Sequence, residues 1–286
     1  MAPTSASHYA AGIMPTSESR KVFLTGASSG IGSEIAKLLG GHGFDVWGTS
    51  RDPARLQQFP HVHPVSLDLA QSDSIRVNFA AALREAGVFD VLINNAGHGA
   101  FGALGSMPAD VLREQFQVLV EGPAELMRLA LPSMRDRGRG TIINVTSLAA
   151  QFPIPFMAPY SAAKPALSVL TQALRIELGV PSIRIVEVRP GDIHTAFHEQ
   201  TRKVDGNARG SDYERMKSVW ETQMRNMAAA PSPACVAQAV LRAVNSRNPP
   251  PVLVVGGLFQ ARVAPLASRL SSVRLQEYVL RRYYQL

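Results

Sequence analysis

Thr25-Gly26-Ala27-Ser28-Ser29-Gly30-Ile31-Gly32 is the stretch whose reading decides the fold. It follows Lys21–Thr25, an apolar run with the length of a strand, and it opens Ile31–Gly41, whose apolar residues recur at helical spacing. Strand, spaced glycines and helix together form a dinucleotide-binding turn. Gly26 permits a tight exit from the strand, and Gly30 lets backbone approach a pyrophosphate. Gly32 allows the helix to pack on the sheet, so that the amides of Ser28, Ser29 and Ile31 meet the phosphates at its N-terminus.

Outward from this turn, short β-branched runs alternate with helical patterns. Strands are expected at Lys21–Thr25, Phe44–Gly48, Val62–Ser66, Val91–Asn94, Thr141–Thr146, Ile183–Val188 and Val252–Val255. Helices are expected at Ile31–Gly41, Ser72–Ala86, Ala109–Arg137, Ala158–Leu178 and Pro233–Ser246. That alternation predicts an α/β fold: a single doubly wound Rossmann domain, with a seven-stranded parallel sheet and helices on both faces. Its ligand crevice lies at the carboxyl ends of the strands. Residues 1–19, rich in Ser, Ala, Thr and Pro, read as a disordered leader, and residues 20–257 as the domain. The polar stretch 194–230, with Gly206 and Gly210, reads as a substrate lid, and residues 258–286 as a basic amphipathic extension.

Composition narrows the function classes. The chain has 286 residues, 46% of them hydrophobic and 18% charged, the balance of an ordinary globular protein with room for one large domain. A single cysteine, Cys235, excludes an internal disulfide framework and fits a reducing compartment, so a cytoplasmic location is expected. No apolar run is long enough to span a bilayer. Of the net charge of +7, the segment Leu258–Leu286 holds five arginines against one acid, Glu277. No basic stripe interleaved with aromatics points to nucleic acid. No metal site is expected either.

Two further places carry chemistry. The second strand ends Gly48-Thr49-Ser50-Arg51, where an NAD site would place an acid on the ribose 2′-hydroxyl. Arg51 suits a 2′-phosphate instead, so NADP(H) is expected over NAD(H), with Ser29 and Ser50 as further donors. Asp52 follows, and the sequence leaves open whether it pairs with Arg51. Tyr160 and Lys164 lie four apart on one helix face, where an ammonium would lower the tyrosine pKa toward neutral pH. Ser147, at the end of the fifth strand, can hydrogen-bond an oxygen on which charge develops.

With Asn94-Asn95-Ala96-Gly97, Ser147, Tyr160-Ser161-Ala162-Ala163-Lys164 and Arg189-Pro190-Gly191 following the glycine turn in order, the chain resembles the short-chain dehydrogenase/reductase family. The resemblance spans essentially Lys21 to Ser246, and His194-Thr195-Ala196-Phe197 with the tail looks most like the 17β-hydroxysteroid and retinol dehydrogenase branch. It implies Ser147, Tyr160 and Lys164 as the catalytic set, with Tyr160 and Lys164 also on the nicotinamide ribose. It further implies Asp68 and Leu69 at the adenine, Asn94, Ala96 and Gly97 along the ribose path, and Pro190, Gly191, Ile193 and Thr195 at the carboxamide. A homodimer or homotetramer through the two long helices is also implied. The expected activity is hydride-transfer interconversion of a hydrophobic ketone or aldehyde and its alcohol.

Two positions depart from the family pattern. Leu119 stands where an Asn usually completes the set and holds a water against the lysine; leucine cannot hydrogen-bond. Protons then need another path, with Ser161 or backbone carbonyls as candidates, or the protein is a cofactor-binding relative with weak turnover. Pro165, inside the helix of Tyr160, removes one backbone bond and predicts a kink. Candidate substrate residues are His98, Phe101, Ala149, Phe152 and Phe197, beside an apolar rim that runs through Ile154 and Met157. Val263, Leu266, Leu270 and Val273 form a helical stripe in the tail, which would pack on the domain, on a second subunit or on a membrane surface.

Overall fold

Alternation along the strands sorts the core into two layers. Val22 and Leu24 join one apolar cluster with Ile35, Leu39, Val236 and Val240, whereas Phe23 between them joins the other with Phe79, Phe89 and Leu126. The computed structural model describes residues 19–179, 182–204 and 211–286. All but the last residue of the expected leader, and 205–210 of the expected lid, lie outside the described residues.

In chain order the first elements are β1 (Lys21–Leu24), α1 (Gly30–Gly41), β2 (Asp45–Ser50), β3 (Val62–Ser66), α2 (Ser72–Ala86) and β4 (Val91–Asn94). There follow β5 (Ala100–Phe101), α3 (Ala109–Phe116), α4 (Gly122–Asp136), β6 (Gly140–Val145), α5 (Ala158–Leu178) and β7 (Ile183–Pro190). Then come α6 (Phe197–Gln200), β8 (Arg202–Lys203), α7 (Ser211–Ala228), α8 (Ala234–Asn245) and β9 (Val252–Val255). Helices α9 (Ala264–Leu270) and α10 (Val273–Tyr283) end the chain.

The main sheet has the order β3-β2-β1-β4-β6-β7-β9, and each neighbouring pair is parallel. The direction of winding reverses between β1 and β4, which opens a crevice at their carboxyl ends. All seven expected strands are present, and α1 and α8 cover one face while α2, α4 and α5 cover the other.

Two features depart from expectation, the π-helical turn and the small second sheet. The helix expected over 109–137 is divided by a π-helical turn, Gln117–Glu121, with Leu119 at its centre. A residue is squeezed into the ladder there, an arrangement that recurs at functional sites. Helix α5 runs unbroken from 158 to 178 with Pro165 inside it, and the Ser161 hydroxyl accepts from the Ile154 amide (3.0 Å) to hold the preceding turn. The small sheet of β5 and β8 was not foreseen: it ties the chain after β4 to the lid, with the Arg202 amide donating to the Gly99 carbonyl (2.9 Å).

A buried polar chain crosses the core beneath the crevice. Asn94 Nδ2 donates to Asn144 Oδ1 (2.8 Å), and Asn144 Nδ2 donates to Thr171 Oγ1 (2.8 Å). The chain joins β4, β6 and α5. Asn144→Ala leaves buried Asn94 Nδ2 with only the long bond to the Pro123 carbonyl (3.5 Å) and takes a donor from Thr171 Oγ1, and is expected to cost about 1–3 kcal/mol in urea denaturation. A loss below a few tenths of a kcal/mol would show that the chain bears no load.

Candidate active site

At the crevice, β1 and β4 are clipped together before the glycine turn begins. Thr25 Oγ1 accepts from the amides of Asn95 (2.9 Å) and Ala96 (3.0 Å), and Asn95 Nδ2 donates to the Thr25 carbonyl (3.0 Å). Gly32 has no room for a side chain: a Cβ would sit 2.0 Å from the Gly26 carbonyl oxygen and 2.6 Å from Asn95 Nδ2. Gly30 has φ of +54°, in the left-handed region, and its missing Cβ leaves a gap facing Thr195. The result is a cradle at a helix N-terminus, shaped for a phosphate group.

The crevice has a volume of about 810 Å³. Gly26, Ser28, Ser29, Gly30, Ile31 and Gly32 line it from the loop, and Arg51, Asp68 and Leu69 from the β2 and β3 side. Ala96 and Gly97 line it after β4, and Pro190, Gly191, Ile193 and Thr195 after β7. Asp52 does not compete for Arg51, because its carboxylate accepts from the Ala54 amide (3.1 Å) and caps a short 3₁₀ turn. Ser50 Oγ and Ser28 Oγ, 3.3 Å apart, stand beside Arg51.

Ser147, Tyr160 and Lys164 come together at the inner end. The Lys164 ammonium donates to the Val145 carbonyl (3.0 Å), at the end of β6, and lies 5.6 Å from the Tyr160 ring centre. Burial brings Lys164 down to about 8, against the pull of the Glu187 carboxylate. Glu187 is itself buried, accepting from Thr146 Oγ1 (2.7 Å), Ser168 Oγ (3.0 Å) and Arg189 Nε (2.7 Å). Burial also pushes Tyr160 up to about 12, only partly offset by its hydrogen bond with Ser147. The expected lowering of the tyrosine by its lysine is therefore corrected. Desolvation of the buried phenol sets the direction, and the opposing effect comes from Ser147.

Leu119 belongs to the same buried apolar cluster as Tyr160. A Cβ on Gly97 would meet Leu119 Cδ2 at 2.6 Å and Lys164 Nζ at 3.9 Å, so hydrocarbon fills the space beside the lysine. Phe197 of α6 meets the Tyr160 ring edge-on, 5.6 Å between centres, and roofs it from the lid.

Four expected site residues are elsewhere. The Asn94 side chain turns into the core toward Asn144, and Asn95, one residue on, lines the crevice in its place. Phe101 is buried against Phe156 and Trp220. Ala149 is buried under the 3₁₀ turn after β6, and Phe152 beyond that turn does not reach the crevice. His98 does line it, with Nε2 3.4 Å from Glu114 Oε1, and burial holds the imidazole below its ordinary value. Ile154, Met157 and Phe197 form an apolar wall, joined by residues that no local motif marked: Gln223, Met227 and Tyr284.

Lys164 carries a stability cost that can be measured. Moving its pKa from an ordinary 10.5 to about 8 corresponds to roughly 3 kcal/mol against the charged folded form. Lys164→Met should therefore unfold at higher temperature than the parent at pH 7. The gap should shrink as pH rises from about 8 and vanish above 10.5, where both folded and unfolded lysine are neutral. A less stable variant at pH 7 would show that the ammonium's contacts outweigh its burial.

The comparisons agree with this geometry. Residues 20–206 match the family model for short chain dehydrogenases. A 3-ketodihydrosphingosine reductase from Bacteroides thetaiotaomicron is 33% identical over 267 residues, covering 92% of this chain and 97% of that protein. Estradiol 17-beta-dehydrogenase 1 from Rattus norvegicus is 33% identical over 203 residues, covering 67% of this chain and 59% of that protein. Among solved structures, a short-chain dehydrogenase from Streptomyces avermitilis superposes with a TM-score of 0.79 at 29% identity, covering 93% of this chain and 98% of that one. On the family match over residues 20–206 and these relatives, the chain belongs to the short-chain dehydrogenase/reductase family, near its hydroxysteroid dehydrogenase branch.

Proposed function

We propose that the protein is an oxidoreductase that uses NADP(H) to interconvert a hydrophobic ketone or aldehyde and its alcohol, with Tyr160 as acid and base. One observation carries this reading: Ser147, Tyr160 and Lys164 are gathered in a buried cluster that opens on the same crevice as the glycine cradle.

The crevice residues fit a dinucleotide. The gap at Gly30 would take the pyrophosphate, Asp68 and Leu69 the adenine, and Ala96 and Gly97 the ribose path. Arg51, with Ser28 and Ser50, would hold a 2′-phosphate, since Asp52 is engaged in its own cap. Pro190, Gly191, Ile193 and Thr195 would face the carboxamide. When bound, the nicotinamide supplies or accepts the hydride.

The chain's own residues manage the proton. In reduction the Tyr160 hydroxyl donates to the carbonyl oxygen, while the Ser147 hydroxyl hydrogen-bonds the same oxygen as it gains charge. The Lys164 ammonium stabilises the phenolate left behind, which needs it protonated. In oxidation the same groups run in reverse.

Ile154, Met157, Phe197 and Met227 give the substrate side an apolar wall, and Gln223 Nε2, buried with no partner among the described residues, offers one directed donor. Such a wall suits an amphiphile with a long apolar body. The Bacteroides relative, named for reduction of 3-ketodihydrosphingosine, supports a lipid-like ketone. A homodimer through α4 and α5 is part of the proposal, with Val169 and Ile176 of α5 exposed on that face.

A screen of NADPH oxidation over steroids, retinoids, acyl ketones and 3-ketodihydrosphingosine tests the reading. Tyr160→Phe should lower the rate on the order of 10²- to 10⁴-fold, and no NADPH oxidation across the panel would overturn it. Arg51→Glu should raise KM for NADPH by about 10- to 100-fold and leave NADH little changed. An equal effect on both would remove Arg51 from the 2′-phosphate.

A second reading, cofactor binding with weak turnover, is favoured by the Leu119 packing beside Lys164. Leu119→Asn should then raise turnover with cofactor affinity unchanged. No gain would mean that protons leave by another route.

A further inference from the structure

Helix α10 spends one stripe on the fold and has a second left over. Its inner stripe packs on the lid helix α7: Leu280 and the buried Tyr284 join the core cluster of Met216 and Val219. The Asn226 amide donates to the Tyr283 hydroxyl (2.8 Å), and the Ser218 hydroxyl to the Tyr284 carbonyl (3.3 Å). Helix α9 is held by Gln151, which donates to the Pro265 carbonyl (3.3 Å) and to Ser268. Both helices are thus fixed in place.

Their outer faces are apolar nonetheless. On α9, Leu266 and Leu270, one turn apart, are 63% and 86% exposed. On α10, Leu275, Tyr278 and Val279 are 51%, 63% and 54% exposed, at the i, i+3, i+4 spacing of one face. Val263, before α9, and Val273, at the start of α10, are exposed as well. Surface of this kind costs solubility and is retained where something covers it. Arg274 and Arg281 lie beside this face and Arg282 continues it by one turn, all three exposed, and the whole segment Leu258–Leu286 carries five arginines and one glutamate.

We propose that the outer face of α9 and α10 is a docking surface for an anionic lipid bilayer, lying in the plane of the headgroups. Apolar residues on one face with arginines at its margins is the pattern of a helix resting at a membrane interface. Among the described residues no helix is long and apolar enough to cross a membrane, so the contact is peripheral. Charge decides against a second copy of the chain as the occupant. A twofold interface would set this arginine-rich patch against itself, and like charges repel there, whereas an anionic surface attracts them. Tyr284, on the inner side of the same helix, lines the crevice, so a docked enzyme would hold its substrate side near the bilayer.

Co-sedimentation of the full chain with phosphatidylglycerol/phosphatidylcholine vesicles tests the proposal, with phosphatidylcholine vesicles as the comparison. The protein should pellet with the anionic vesicles at low salt and be released as salt rises. The double variant Leu270→Glu/Leu275→Glu should weaken pelleting by on the order of tenfold or more, with an unchanged melting temperature. The triple variant Arg274→Gln/Arg281→Gln/Arg282→Gln should weaken it as well, and serves if the first variant folds poorly. No pelleting, or equal pelleting with both vesicle types, overturns the proposal. So does self-association of the parent that the double variant abolishes without any vesicle binding, which would assign the face to a second copy.

Discussion

Everything at the active centre is arranged around one hydrogen bond, from the Lys164 ammonium to the Val145 carbonyl at the end of β6. A charge in a dry interior survives only with partners, and this one has a backbone dipole in contact and a carboxylate, Glu187, at longer range. Both partners are products of the sheet. Val145 and Glu187 belong to the adjacent parallel strands β6 and β7, and α5 must cross over them at the right height to bring Lys164 down between them. The Asn94–Asn144–Thr171 chain ties β6 and α5 to β4 on the other side. The scaffold is what makes the lysine possible, and the lysine is what the scaffold pays stability to keep.

Enclosure is completed from far along the chain. Phe197 meets the Tyr160 ring edge-on, β8 pairs with β5, and Gln200 donates to Ser29 on the glycine turn (2.9 Å). Asp192, just past the Pro190-Gly191 turn, is bound by Gln260, so the C-terminal segment is pinned beside the place where a carboxamide would lie. Dryness raises Tyr160 and lowers Lys164 together. Tyr160 is thereby held protonated near neutral pH, and a proton leaving it would leave a phenolate that needs the charge of Lys164 beside it.

The parts legible in the sequence are those fixed by local rules. The glycine turn could be read because Gly32 admits no side chain and Gly30 needs a left-handed backbone. Helical spacing puts Tyr160 and Lys164 on one face, but such pairs are common by chance, and it was the order of the surrounding motifs and the family resemblance they carry that marked this one. Asn94 was misplaced because successive strand residues point to opposite sides, and a one-residue difference in where β4 ends decides between core and crevice. The π turn at Leu119 has no local signature of that kind. Gln223, Met227 and Tyr284 reach the crevice only through tertiary packing of α7 and α10. The direction of the tyrosine shift was missed for a related reason: sequence shows which charges are neighbours, and burial, which outweighed them, is a property of the whole fold.

The account's central claim is that a buried lysine, charged only below about pH 8, enables Tyr160 to work. It is tested most directly by the pH dependence of kcat for carbonyl reduction at saturating NADPH and substrate. The account predicts a plateau near neutral pH and a fall through about pH 8 as Lys164 loses its proton. A rate that stays level up to the ordinary lysine value of 10.5 would contradict it.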